Sequence, residues 1–322
     1  LASSVTFNQS GTGTQLLEFC SADGGALRRQ WHDVFPLLST RMSTSIELLF
    51  KGVKMYLKTM HDYSAPDWEA VARANGLDSF ESLWALDIGW FEEPNERRGG
   101  WSGVSRHEVE LPDGRREGVF IKRQQNHNTR SWLHPFRGIQ TFRREFRNLM
   151  LLQSFGIPTL DVLYFAERKS GSDRRAILIS RELAGYTSLE NCITYWNRHG
   201  YPDRAVWHET LERIAAVARR MHQHRIQQNC FLPKHVFIGE IDGRMDIRLI
   251  DFEKAKRRWT SESALVRDLD TFNRRSPGVA TANRLRFLLA YHQQRRVNAR
   301  VRKTWNKLVA LQHRKGRNLL QS

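Results

Sequence analysis

Cysteine is scarce in this chain of 322 residues. Cys20, Cys192 and Cys230 stand far apart, with neither the paired spacing of a zinc site nor the even count of a disulfide framework, which points to a reducing cytoplasm. Long apolar runs are missing too. No stretch approaches the ~20 residues that cross a bilayer, and the first residues lack the basic segment and unbroken apolar core of a signal peptide. Acidic residues vanish from the last sixth of the chain: Thr271 to Ser322 holds 13 Lys and Arg and no Asp or Glu. That is three quarters of the formal net charge of +17. Such a tail either seeks an acidic partner (anionic lipid, a phosphorylated glycolipid, nucleic acid) or forms a solvated helix face.

What remains is an ordinary globular composition, 40% hydrophobic and 11% aromatic, in a chain long enough for two lobes around a sizeable core. Residues 1–59 read as an extension: they are polar at the start and Gly/Thr/Gln-rich from Gly11, and only Ser45–Met55 has a modest helical pattern. Met60 is the expected natural start, because an acid-capped helical pattern begins just after it. Two short helices follow, carrying Trp68, Val71 and Ala72, then Phe80, Leu83 and Trp84, with Gly76 between them as a stop.

A β-rich block comes next. Arg98-Gly99-Gly100-Trp101-Ser102-Gly103-Val104 is expected as a Gly-rich turn, His107–Leu111 as a strand, Pro112-Asp113-Gly114 as a hairpin turn, and Gly118-Val119-Phe120-Ile121-Lys122 as the returning strand. A Gly-rich hairpin followed by an apolar strand ending in Lys suits phosphate binding better than either part alone. Helical spacing of Phe142, Phe146, Leu149 and Met150 predicts a helix over Thr141–Ser154, stopped by Gly156-Ile157-Pro158. Glu145 falls on its apolar face, whereas Arg143, Arg144 and Arg147 are expected to point elsewhere. An unpaired buried carboxylate costs several kcal/mol, so Glu145 either reaches solvent or takes a cation from the preceding strand, Lys122.

Strands at Asp161–Phe165 and Ala176–Ser180 lead to a connection, Arg181–Tyr186. A helix over His208–His224 follows, with Leu211, Ile214, Ala215, Ala218, Met221 and His222 on one face. Then come a loop, Gln227–Lys234, a strand, an Asp242-Gly243 turn, and the strand Ile247–Ile250 that runs into Asp251-Phe252-Glu253. By itself an acid at a strand end either caps a turn or holds a cation.

As a set, these parts resemble the protein-kinase-like fold, and more narrowly the bacterial lipopolysaccharide core kinases of the InaA/WaaP type. The residues that carry the likeness are Arg98–Ser102, Phe120–Gln124, His134–Gly138, Thr141–Arg147, Pro233–Phe237, Leu249–Lys254 and Arg267–Leu269. The resemblance implies an α+β, two-lobed architecture with a β-rich N-lobe over 60–185 and a small, mostly helical C-lobe over 186–322. It implies that Lys122, oriented by Glu145, binds nucleotide phosphates, that Asp251 holds Mg²⁺, and that Gly99, Gly100, Trp101, Ser102 and Gly103 cover the phosphates of ATP. Asp268 resembles the buried acid that braces the catalytic loop, with a surface helix acid as the other reading.

The departures from the kinase pattern are specific. With His235 in the place of the metal-binding Asn, Cys230 occupies the place of the catalytic Asp, so the usual base is missing; losing one typically removes about 10²- to 10⁴-fold in rate. His235 either coordinates metal, acts as base or bridges the loop, and Glu253, in the place of the usual Gly, is a possible second carboxylate for the metal. The expected activity is phosphorylation of a heptose hydroxyl in the lipopolysaccharide inner core, on a core or lipid-linked glycolipid acceptor. The alternative is a pseudokinase that binds nucleotide without transfer. The C-terminal helix, with Val301, Trp305, Leu308 and Val309 in one stripe and Arg296, Arg300, Arg302, Lys303 and Lys307 around it, is expected to dock on the lobe and face the anionic inner membrane peripherally. No recognised nucleic-acid motif accompanies the charge.

Overall fold

A computed structural model describes residues 60–97, 99–131 and 134–314; the extension over 1–59 with its Ser45–Met55 pattern lies outside the described residues, and the helical pattern expected just after Met60 is instead the short strand Asp62–Ser64, with helix beginning only at Trp68. In chain order the elements are β1 (Asp62–Ser64), α1 (Trp68–Ala74), α2 (Phe80–Ala85), β2 (Glu92–Arg97), β3 (Gly100–Glu110), β4 (Arg116–Gln125), β5 (Asn128–Ser131), β6 (His134–Gln140) and α3 (Thr141–Ser154). After these come β7 (Val162–Ser170), β8 (Asp173–Arg181), β9 (Thr187–Ser188), α4 (Leu189–His199), α5 (Arg204–Gln223), β10 (Ile226–Gln227), β11 (Val236–Ile241), β12 (Arg244–Leu249), β13 (Lys256–Arg257), α6 (Ser261–Arg274), α7 (Thr281–His292) and α8 (Ala299–Arg314).

One antiparallel sheet in the order β1-β7-β8-β4-β3-β2 forms the first lobe. Side chains alternate between its two faces, and each face has its own helical cover. Val119, Ile121, Ile177 and Ile179 pack with Trp68, Val71, Phe80 and Leu83 of α1 and α2. Ala176, Leu178 and Phe165 pack with Phe142, Phe146 and Leu149 of α3. Lys122 is directly opposite Leu178 in the β4–β8 ladder, so strand parity alone turns it toward α3.

The second lobe is helical. The expected face of α5 is realised, since Leu211, Ile214, Ala215, Ala218, Met221 and His222 are all buried. The helix starts one turn earlier than its spacing suggested, because Trp207 is buried as well and extends the apolar face toward the N-terminus. Val301 and Leu308 of α8 are buried against this lobe, as the stripe predicted. One apolar cluster runs from α3 through α5 and β12 to α8, so the lobes share a core and the described residues belong to one compact unit. Among the described residues no helix is long and apolar enough to cross a membrane.

The expected Gly-rich turn is mostly strand. Arg97 pairs with Gly100, Glu96 with Trp101 and Asn95 with Ser102, so that the glycine stretch from Gly100 on is strand. Gly100 is required because a Cβ there would lie 2.0 Å from the Gln125 carbonyl oxygen, and Gly103 because a Cβ would lie 2.4 Å from the Trp90 ring. Arg143 also differs from expectation: it is buried and pairs with Glu167 and with His61 Nδ1 at 2.8 Å.

Phe146 is fully buried and stacks on Phe165 with ring centroids 4.3 Å apart. Phe146→Ala is expected to cost about 3–5 kcal/mol of stability, measured by urea denaturation.

Candidate active site

The site is built where the sheet, α3 and the β11–β12 hairpin meet. Lys122 Nζ donates to Glu145 Oε1 at 2.6 Å, and the Glu145 side chain is 2% exposed. Burial works against the Lys122 ammonium, but Glu145, then Asp251 and Glu253, outweigh it and hold the lysine above its ordinary value. Lys122 is therefore a charged ammonium. Burial pushes the Glu145 carboxyl up; Lys122 opposes that shift, and the negative charges of Asp251 and Glu253 add to it. Three acidic side chains thus share the neighbourhood of one half-buried lysine. Such a cluster holds excess negative charge that a metal ion would neutralise.

Asp251 leaves β12 with φ 61°, a left-handed conformation that Asp tolerates better than most residues. Phe252, next to it, is fully buried and anchors the turn. His235 Nδ1 lies 2.8 Å from the Cys230 carbonyl, which can only accept, so Nδ1 carries the proton. Burial lowers the imidazole's pKa, with Asp251 opposing, and the neutral ring then presents a bare Nε2 to Asp251 Oδ2 at 3.4 Å. Two acceptors facing each other call for a shared cation. Asp251 offers the hard carboxylate oxygen that Mg²⁺ prefers, with water and phosphate left to complete its shell, while His235 Nε2 is a softer nitrogen donor beside it. Glu253 pairs with Lys254 at 3.1 Å, and among the described residues no three His, Cys, Asp or Glu side chains converge as a metal cage.

Asp268 is fully buried and holds the loop that carries Cys230. It accepts from the Gln228 amide at 2.7 Å, the Asn229 amide at 3.0 Å and His222 Nε2 at 3.2 Å; the other side of that ring meets the Tyr291 hydroxyl at 3.1 Å. The bracing role is thus what the geometry supports, and the surface reading of Asp268 falls away. Cys230, at the position of the missing base, has its thiol pushed up to about 11 by burial first and by Asp251 next. At neutral pH it is a thiol with no lone pair basic enough to take a hydroxyl proton.

Several positioning residues escape a reading of spacing alone. Gln228 Nε2 donates to the Ile250 carbonyl at 2.6 Å, and Asn229 Nδ2 to the Lys254 carbonyl at 2.9 Å, so the loop grips both sides of Asp251. Asn148 Nδ2 donates to the Phe252 carbonyl at 2.7 Å, and Arg144 Nη2 to that of Ala255 at 3.1 Å. Asn148 was findable, being three residues after Glu145 on the same helix face. The others act through contacts distant in sequence. Gly103 sits beside Arg123 in the β3–β4 ladder, one step from the Val104–Lys122 pair, so the glycine stretch borders the lysine even though most of it is strand. The side chains of 134–137 lie outside the described residues.

The model of the lipopolysaccharide kinase (Kdo/WaaP) family matches residues 81–291. Protein InaA of Escherichia coli (strain K12) is 28% identical over 191 residues, which cover 59% of this chain and 85% of InaA. A solved structure of WaaP in complex with acyl carrier protein superposes with a TM-score of 0.57 at 20% sequence identity, over 80% of this chain and 98% of the WaaP chain. That likeness bears on the fold, which is the two-lobed, α+β, kinase-like architecture expected from the motifs.

Two outcomes follow from the loop. Asp268→Ala leaves the buried Gln228 amide, the half-buried Asn229 amide and a buried imidazole without their acceptor, and is expected to lower unfolding free energy by about 3–5 kcal/mol in urea titrations. Because Cys230 stays protonated until well above neutral pH, its alkylation by iodoacetamide, followed by peptide mass spectrometry, should keep rising about tenfold per pH unit from 7 to beyond 9. A plateau below pH 9 would contradict the protonated thiol.

Proposed function

Starting from the lipopolysaccharide kinase (Kdo/WaaP) family, to which this chain belongs, we propose an ATP-dependent kinase that phosphorylates a heptose hydroxyl of the lipopolysaccharide inner core. The observation that carries the reading is the convergence of the Lys122–Glu145 pair, half-buried lysine on buried acid, with Asp251 and His235 in one cleft. Phosphoryl transfer demands positive charge around the transferred group and little covalent help from the protein. Lys122 supplies a permanent ammonium for the α and β phosphates. Asp251 and His235 would hold Mg²⁺, which when bound balances phosphate charge. The hairpin tip at Gly99 and the strand Gly100–Gly103 border the phosphates. Glu253 stands at the margin and adds negative charge without a direct ligand role.

The acceptor proton is the weak point of the cleft. Cys230 is a neutral thiol, and His235 spends its lone pair toward Asp251. A loose transition state asks little of a base, which supports slow transfer. The same observation supports a second reading, a pseudokinase that binds nucleotide without turnover. In the first reading the enzyme works peripherally at the cytoplasmic face of the inner membrane, on a core or lipid-linked glycolipid. The basic outer face of α8, where Arg302 and Lys303 are exposed, supports attraction to that surface.

Core-sugar phosphorylation should be compared by mass spectrometry in cells carrying the wild type, Lys122→Ala, Asp251→Asn or Cys230→Ala. Phosphate on the core is expected to vanish with the first two variants and to survive largely in Cys230→Ala. Identical phosphorylation in all four strains would remove the assignment. Stabilisation by ATP and Mg²⁺ in thermal unfolding, without any transfer to core oligosaccharide, would favour the pseudokinase.

A further inference from the structure

The segment directly after the Asp251 turn carries four cations and no acid: Lys254, Lys256, Arg257 and Arg258, followed by Trp259. Trp259 is 95% exposed, whereas no other described large apolar side chain is more than 60% exposed. Placing an indole in water forgoes about 1.5–3 kcal/mol of burial, so its position asks for an occupant. Lys256 and Arg257 are exposed as well, held on β13 by pairing with Gln227 and Ile226. Arg267 on α6 is exposed beside them. Partial burial and then the charges of Arg258, Arg267 and Arg144 depress the Lys256 ammonium, so these cations crowd one patch.

We infer that the loop Lys254–Thr260 docks on an anionic bilayer surface, with Trp259 entering the headgroup region and Lys256, Arg257, Arg258 and Arg267 meeting lipid phosphates. An amphipathic ring flanked by cations matches the boundary between headgroups and acyl chains, where one end is apolar and the other wet. Charge complementarity favours lipid over an apolar protein face, because the cations surround the ring and would be stripped of water in a dry interface. Arg144 and Asn148 of α3 hold the Ala255 and Phe252 carbonyls, which ties the loop rigidly to the cleft. A surface bound by this loop would therefore lie beside Asp251, where a membrane-anchored sugar can reach it. The choice of a lipid occupant rests on the glycolipid-acceptor reading, although the binding itself needs neither nucleotide nor transfer.

The test is co-sedimentation of the full chain with vesicles of phosphatidylcholine alone or mixed about two to one with phosphatidylglycerol. The wild type is expected to bind only the mixed vesicles. Lys256→Glu with Arg257→Glu should lower the partition coefficient at least about tenfold, at about 1 kcal/mol per basic residue, and Trp259→Ala by roughly tenfold. Thermal unfolding of each variant is measured alongside, so that lost binding with a wild-type transition reports on docking and not on folding. No binding by the wild type overturns the inference, as does equal binding by the loop variants. It is also overturned if only Arg296→Glu with Arg302→Glu, beside and on α8, reduces binding, or if the loop variants lose affinity for single-stranded RNA but not for vesicles. Phosphorylation of soluble core oligosaccharide, assayed alongside, separates the two ideas: transfer without vesicle docking sinks the loop alone.

Discussion

The buried carboxylate of Asp268 is the constraint on which the cleft depends. A fully buried acid is tolerated only when its oxygens are occupied, and here two consecutive backbone amides and an imidazole occupy them. This bends the chain at Gln228 and Asn229 into a loop whose side chains then grip the carbonyls of Ile250 and Lys254. Asn229 has φ 68°, and the amide contact stabilises that left-handed turn. The position of Asp251 is thus inherited from an acid on another helix.

The electrostatics of the cleft have two layers. Inside, Lys122 is outnumbered by Glu145, Asp251 and Glu253, which keeps it charged and leaves room for a metal ion and phosphates to restore balance. Outside, within a few residues of Asp251, the sign reverses to the cation cluster around Lys256. The two layers are therefore opposite in sign over a short stretch of chain, and in water the outer field fades within about a Debye length.

The missing carboxylate at Cys230 changes the chemistry more than the architecture. The loop keeps its shape because Asp268 bonds to backbone amides, which every residue possesses. The Cys230 carbonyl serves His235 in the same indifferent way. A thiol can therefore stand in the place of an acid here without disturbing the fold.

Local patterns determined much by themselves. The body of α3 and the buried face of α5 follow from a period of 3.6 acting on apolar residues, and the turn at Asp113 and the end of α3 from their glycines and prolines, all of them properties of the chain alone. The pairing of Lys122 with Glu145 was one of two outcomes legible for an acid on an apolar face, and the structure selects it over escape to solvent. Tertiary structure decided what periods cannot express. The glycine stretch became strand because Arg97 pairs with Gly100 and Trp90 covers Gly103. Arg143 was buried by Glu167, a partner 24 residues away. The roles of Asn148, Gln228 and Asn229 exist only once strand, loop and helix meet, since a hydrogen bond to a distant carbonyl leaves no trace in local spacing.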